Sequence, residues 1–155
     1  MYINIRGGSR TQKKHVKSMV EFCVVKMMPR MQNLEFNISI RNFGKDDSYG
    51  YCIPNDNADE RRPREFDIDL NKTVRLRRLL ETVAHEMVHA KQFAREELYE
   101  STVKGKHRWC GKWLNKHPDY WDQPWEIEAH GRECGLFVQW AQHHKLGHYK
   151  WTHDK

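Results

Sequence analysis

The stretch TVAHEMVHAKQ, residues 82 to 92, constrains this chain most, because it places two histidines inside an amphipathic helical pattern. At 100° per residue, His85 and His89 lie about 40° apart on the helix surface, with Glu86 beside them. Apolar residues recur around them at the three- and four-residue spacing of a helix with one buried face. These residues are Leu76, Leu79, Leu80, Val83, Met87, Ala90 and Ala94. The pattern predicts a helix that packs one stripe into a core and presents polar groups from another side.

The polar side of this helix has the spacing of a metal site. Two imidazoles four residues apart can both reach one zinc ion at about 2.0–2.1 Å. Glu86 would then face the open coordination position, where it could act as a general base toward a water molecule. The competing interpretation is that His85 and His89 are surface or hydrogen-bonded core histidines in a chain that contains 10 His.

A second segment offers further ligands. The stretch PWEIEAHGRE begins at Pro124, which suits the first turn of a helix, and it places Glu126, His130 and Glu133 on one face. Ala129 leaves room there for close packing against another helix. Because catalytic zinc usually takes three protein ligands, Glu126 is the favoured third ligand.

Three other residues compete with Glu126 for that role. His107 follows His89 by a short interval, but it lies in a predicted loop among basic residues. Glu128 and His130 are near Glu126 in the same predicted helix. An acidic residue in a first turn is also expected from the helix dipole alone. The spacing leaves these alternatives open.

The sequence pattern of the N-terminal half predicts one helix and two main strands, with a polar loop between the strands. Residues 11–31 carry apolar side chains at helical spacing, which predicts a helix that ends near Pro29. Residues 34–43 and 65–70 alternate apolar and polar side chains, as half-buried strands do. The loop between these strands is rich in turn residues, with a short strand predicted at Tyr49 to Ile53.

The C-terminal half predicts the HExxH helix, an irregular segment and a last helix. Asn71 or Thr73 could cap the HExxH helix. No regular structure is predicted for residues 99–124. The last helix is predicted to run from just after Pro124 to about His143. The fold class is therefore α+β, with helices segregated from a short antiparallel sheet.

Composition predicts a chain that works in the cytoplasm. With 155 residues it can bury roughly two-thirds of its unfolded surface, so we expect a single domain. No apolar run approaches the roughly 18 residues of a membrane helix, which predicts no membrane partner. The opening MYINIRGGSR lacks the apolar core of a secretory signal. The scattered residues Cys23, Cys52, Cys110 and Cys134 form no CxxC pair, and we expect buried or half-buried thiols.

The net charge of +6 and the pI near 9.2 raise the attraction to nucleic acid. The basic groups form no continuous run, however, and no nucleic-acid-binding signature accompanies them. A solvated basic surface without a specific partner is the competing interpretation.

HExxH followed by a second helix with E-x-x-A resembles the gluzincin family of zinc metallopeptidases. The compact length and the stretch YWDQPWEIEAHGRE are similar to small metallopeptidase-like proteins of phages and bacteria. The resemblance covers roughly residues 65 to 143. It implies a minimal zincin-like domain that hydrolyses peptide bonds in a protein or peptide substrate. It also implies that His85, His89 and Glu126 hold Zn²⁺ and that Glu86 is the general base.

Two features depart from the gluzincin pattern. His130 stands four residues after Glu126, where the family often has an aspartate that orients a zinc-bound histidine. HEMVHA followed by Gly105-Lys106-His107 resembles the SprT-like proteases, in which the third ligand is a histidine. The alternative function is therefore a zinc-binding regulatory or nucleic-acid-associated protein with little general protease activity.

Two parts of a substrate site remain open in the sequence. Hydrolysis needs a donor that stabilises the developing oxyanion, and Tyr120, His117 and His130 are the candidates. The strand at residues 65–70 could offer its edge to an extended peptide. Four tryptophans flank the site and are interpreted mainly as packing residues: Trp109, Trp113, Trp121 and Trp125.

Overall fold

A computed structural model describes residues 1–55 and 61–154. Its elements are, in chain order, β1 (Tyr2–Gly7), α1 (Arg10–Met27), β2 (Glu35–Arg41), β3 (Gly50–Pro54), β4 (Glu65–Asn71), α2 (Leu76–Ala94), β5 (Leu98–Ser101), β6 (Lys106–Trp109), β7 (Lys112–Trp113) and α3 (Pro124–His143). Short 3-10 helices cover Tyr120–Asp122 and Lys150–His153. The part of the predicted polar loop at residues 56–60 lies outside the described residues. The α+β class is confirmed at this level.

The main sheet is mixed, so the predicted antiparallel sheet is wrong. Its strand order is β1-β2-β4-β3, in which β1, β2 and β4 are parallel and β3 is antiparallel to β4. The error has a physical origin in β1, a short strand that the sequence pattern did not reveal. Helix α1 connects β1 to β2, and a helical crossover of this kind makes the two strands parallel.

One face of this sheet forms the core with the helices. The alternation predicted for β2 and β4 is confirmed, since every second side chain of each strand is buried. These buried side chains are Phe36, Ile38, Ile40, Phe66, Ile68 and Leu70. The apolar face of α1 packs in the same core, as its periodicity predicts.

Helix α2 lies between the sheet and α3, so most of its side chains are buried. It begins after Arg75, and neither predicted cap is correct. Asn71 ends β4, and its side chain accepts hydrogen bonds from the backbone N–H and the hydroxyl of Thr73. Helix α3 begins at Pro124 and ends at His143, as predicted. Ala129 is fully buried, which fits the predicted close packing of α3.

The segment predicted to be irregular contains a small antiparallel sheet, β5-β6-β7. Cys110 and Gly111 both have positive φ angles between the paired residues Trp109 and Lys112. Two such residues form the tight turn that matches the twist of a hairpin. The turn leaves Cys110 exposed, which corrects the expectation that every thiol is at least half-buried.

A helix that crosses a bilayer must be long and apolar. Within residues 1–55 and 61–154, no helix is both long enough and apolar enough to cross a membrane.

Candidate metal centre

Helix α2 presents both HExxH histidines to the first turn of α3. Nε2 of His85 lies 3.1 Å from Nε2 of His89. The Glu126 carboxylate faces both rings, with Oε2 at 3.3 Å from Nε2 of His85 and Oε1 at 3.3 Å from Nε2 of His89. One ligand atom from each residue lies within 4.8 Å of the others. The structure therefore brings His85, His89 and Glu126 together, as the sequence predicts.

The outer nitrogen of each imidazole has a partner of its own. Nδ1 of His85 lies 2.8 Å from Oε2 of Glu133, and Nδ1 of His89 lies 2.9 Å from Oε1 of Gln92. Both partners are acceptors, so each Nδ1 carries a hydrogen and donates it. In the neutral rings, each Nε2 is then left with a lone pair that points into the centre. Such outer partners are a regular feature of metal-binding histidines.

These residues fit a divalent cation. Oε2 of Glu126 is buried and has no hydrogen-bond partner among the described residues. When both rings are neutral, it faces two imidazole lone pairs, and a group of acceptors without a donor is unfavourable in a buried site. A cation at the centre would satisfy all of them. Two imidazoles and one carboxylate form a donor set that zinc accepts, with room for a fourth ligand.

The ionisation of the centre also favours a cation. Burial disfavours a charged His85, but the carboxylates of Glu126 and Glu133 outweigh it and raise the pKa of His85 to about 9. Burial likewise opposes an ionised Glu126, yet the imidazoles of His85 and His89 hold its pKa well below the usual range. Without an ion, His85 therefore binds a proton at neutral pH, and a metal cation would take the place of that proton.

Glu86 lies beside the centre on the wall of a cavity of about 580 Å³. Burial raises the pKa of its carboxyl group, although the nearby His89 and His85 partly oppose this. A raised pKa makes the carboxylate a stronger base, so that it accepts a proton from water more easily. Gly50 of β3 lies against this group, and a Cβ atom at Gly50 would be 3.0 Å from Oε1 of Glu86. The position therefore requires a residue without a side chain.

Strand β3 forms one side of the cavity, and this corrects the predicted peptide-binding edge. The strand at residues 65–70 is β4, which lies between β2 and β3 and has no free edge. The end strand on this side of the sheet is β3, and its residues Gly50 to Ile53 line the cavity. Trp121 lies in the cavity lining as well and is 71% exposed, so it is not the packing residue that was expected.

Tyr120 and His130 also line the cavity. The Tyr120 hydroxyl is 2.9 Å from Nε2 of His130. Burial and the nearby Glu126 carboxylate raise the pKa of Tyr120, so its hydroxyl keeps its proton. His130 forms a second group of potential metal ligands together with His85 and Glu133. The described residues that line the cavity do not include His117.

The other candidates for the third ligand are engaged elsewhere. The ring of His107 stacks on Trp125 at 5.1 Å, and its Nε2 lies 3.2 Å from a carboxylate oxygen of Glu100. Among the described residues, no group of potential ligands contains His107. Glu128 points away from the centre and pairs with Lys91 at 2.5 Å.

Two residues of the centre were not assigned in advance. Glu133 was placed on the correct face of α3 but was given no role. Gln92 was missed, although its position three residues after His89 puts it one helical turn away on the same side. A polar side chain inside an otherwise buried segment was the signal that could have revealed it.

Three comparisons with known proteins find no match. The sequence matches no protein-family profile, and neither the search of curated proteins nor that of solved structures gives a match.

Proposed function

We propose that this protein is a zinc-dependent metallopeptidase with a minimal zincin-like fold. One observation carries the proposal: His85, His89 and Glu126 converge on a point beside Glu86, at the wall of an accessible cavity. Three ligands with an open fourth position are typical of catalytic rather than structural zinc sites. The cytoplasm remains the proposed location, and a protein or peptide the proposed substrate.

His85, His89 and Glu126 would hold the zinc, which would supply the Lewis acidity that lowers the pKa of a water molecule toward about 7. Glu86 takes the proton of the attacking water and later transfers it to the leaving amine. The burial that raises the pKa of Glu86 prepares it for both steps. The Tyr120 hydroxyl and His130 line the same cavity and are the proposed donors to the developing oxyanion.

The strand in the cavity wall suits an extended peptide. Strand β3 ends the main sheet and lines the cavity, so a peptide can add to it through main-chain hydrogen bonds. Ile53 of β3 and Trp121 are large, exposed apolar side chains in the cavity lining. They favour substrates with apolar side chains on either side of the cleaved bond.

The decisive experiment compares Glu86→Gln with the unaltered protein on a broad peptide library. We expect the variant to keep its fold and zinc but to lose cleavage, because an amide cannot accept the proton of water. Glu100→Gln is the matched control, since Glu100 is exposed and pairs with His107 outside the centre. It should cleave as the parent does.

Two outcomes would contradict this function. Equal cleavage by Glu86→Gln and the parent would remove Glu86 as the base. A parent protein that holds zinc but cleaves no member of the library would favour the zinc-binding regulatory or nucleic-acid-associated alternative. Salt-dependent retention on DNA would then distinguish these two roles.

A further inference from the structure

Gln92 is fully buried on α2 and contacts both helices of the metal centre. Its Oε1 lies 2.9 Å from Nδ1 of His89, and its Nε2 donates to the carbonyl oxygen of Trp125 at 2.9 Å. The same Nε2 also donates to Oε2 of Glu128 at 2.9 Å. One side chain thus joins a histidine of α2 to the residues on both sides of Glu126.

The chemistry of these neighbours fixes the orientation of the Gln92 amide. A backbone carbonyl and a carboxylate only accept hydrogen bonds, so the NH₂ group must face Trp125 and Glu128. The amide oxygen is therefore directed at His89. Because that oxygen only accepts, Nδ1 of His89 must carry the hydrogen, and the lone pair of the ring lies on Nε2.

An ion pair with the buried Lys91 holds the half-buried Glu128 in place. Nζ of Lys91 lies 2.5 Å from Oε1 of Glu128 and 2.6 Å from Oε2 of Glu97, and Lys91 is itself almost fully buried. Arg132 contacts the same Glu128 oxygen at 3.2 Å from the outer side. Loss of a carboxylate partner would leave the charge of the buried Lys91 less well compensated, so Lys91 favours this position of Glu128.

We propose that Gln92 is a positioning residue that fixes the tautomer of His89 and locks the start of α3, and with it Glu126, against α2. The proposal extends the proposed zinc site and rests on it. Loss of Gln92 should let the His89 ring change its tautomer and let Glu126 move, so that two ligands are weakened together.

The test uses Gln92→Leu, which keeps a similar volume but makes no hydrogen bond. Zinc affinity, measured by competition with a chromophoric chelator, should fall by about 10–100-fold, the usual effect of removing an outer partner of a metal ligand. Gln139→Leu is the matched control, because it makes the same substitution at an exposed position of α3. Its zinc affinity should equal that of the parent. A folded Gln92→Leu protein with parental zinc affinity would overturn the proposal.

A second measurement needs neither a variant nor zinc. Long-range proton–nitrogen NMR correlations of the metal-free parent at alkaline pH should show His89 protonated on Nδ1. Protonation on Nε2 would refute the role of Gln92 even if zinc binds and peptides are cleaved. Conversely, a parent that binds zinc but cleaves nothing contradicts the peptidase function alone, and one that binds no zinc contradicts the metal site while the tautomer still tests Gln92.

Discussion

Glu133 contacts His85 at 2.8 Å from a position seven residues after Glu126, whereas His130 occupies the position four residues after it. The proposed gluzincin arrangement would place an orienting carboxylate at the earlier position. Here the next turn of α3 provides it, since positions 126, 130 and 133 share one helix face. The apparent departure at His130 therefore leaves the orientation of His85 intact and frees His130 to line the cavity.

The third ligand can be tested by comparing two variants. Glu126→Ala should lower zinc affinity by orders of magnitude, because it leaves two imidazoles as the only protein ligands. His107→Ala should leave zinc affinity unchanged, since His107 stacks on Trp125 outside the centre. Isothermal titration with zinc measures both. The opposite ranking of the two variants would move the protein to the SprT-like arrangement.

Gly50 should be required for activity rather than for metal binding. In Gly50→Ala, the new Cβ would meet Cγ2 of Thr82 at 2.7 Å and Oε1 of Glu86 at 3.0 Å, so the proposed base would have to move. We expect a loss of peptide cleavage of at least tenfold with zinc content unchanged.

Two further variants separate this contact from a general effect of the substitution. Gly135→Ala is the control, because a Cβ there meets nothing within 4 Å. Adding Thr82→Ser to Gly50→Ala removes the nearest methyl group and should restore part of the activity. Full activity of Gly50→Ala alone would show that Glu86 does not depend on this close contact.

Ala129 should be sensitive to any increase in size. It is fully buried in α3, the helix that packs along α2. Ala129→Leu should reduce the free energy of unfolding by about 1–3 kcal/mol, the usual cost of overpacking a core. Urea denaturation measures this change. The matched control Val138→Leu changes an exposed position of the same helix and should have little effect.

The thiols should differ sharply in reactivity. Cys110 is exposed in the β6–β7 turn, whereas Cys23 is buried and its pKa is raised to about 12 by that burial. Because the thiolate is the reactive form, a thiol reagent should modify Cys110 first in the folded protein. Mass spectrometry after brief labelling identifies the site. Rapid modification of Cys23 would show that its part of the core opens.

Sequence alone predicted the elements with strong periodicity and missed those that depend on partners. Helices α2 and α3 and strands β2 and β4 carry clear apolar patterns, so their positions followed from the residues. Strand β1 is defined by its pairing with β2. The β6–β7 hairpin depends on two positive φ angles, and the residues there do not form one of the common turn sequences.

The candidate site divides in the same way. The HExxH spacing located His85 and His89, and a helix start located Glu126. The contacts of Gln92 and Glu133 depend on how α3 packs against α2, and the sequence of either helix alone does not predict that packing.

The candidate ligands come from two helices that are separated in the chain by the whole β5–β7 sheet. An ion held by His89 and Glu126 would therefore act as a cross-link that closes this long segment into a loop, much as a disulfide does. Unlike a disulfide, such an ion is released when the chain unfolds, so its binding free energy adds to the stability of the folded state. The supply of metal would then govern how long the protein survives in a cell as well as whether it can act.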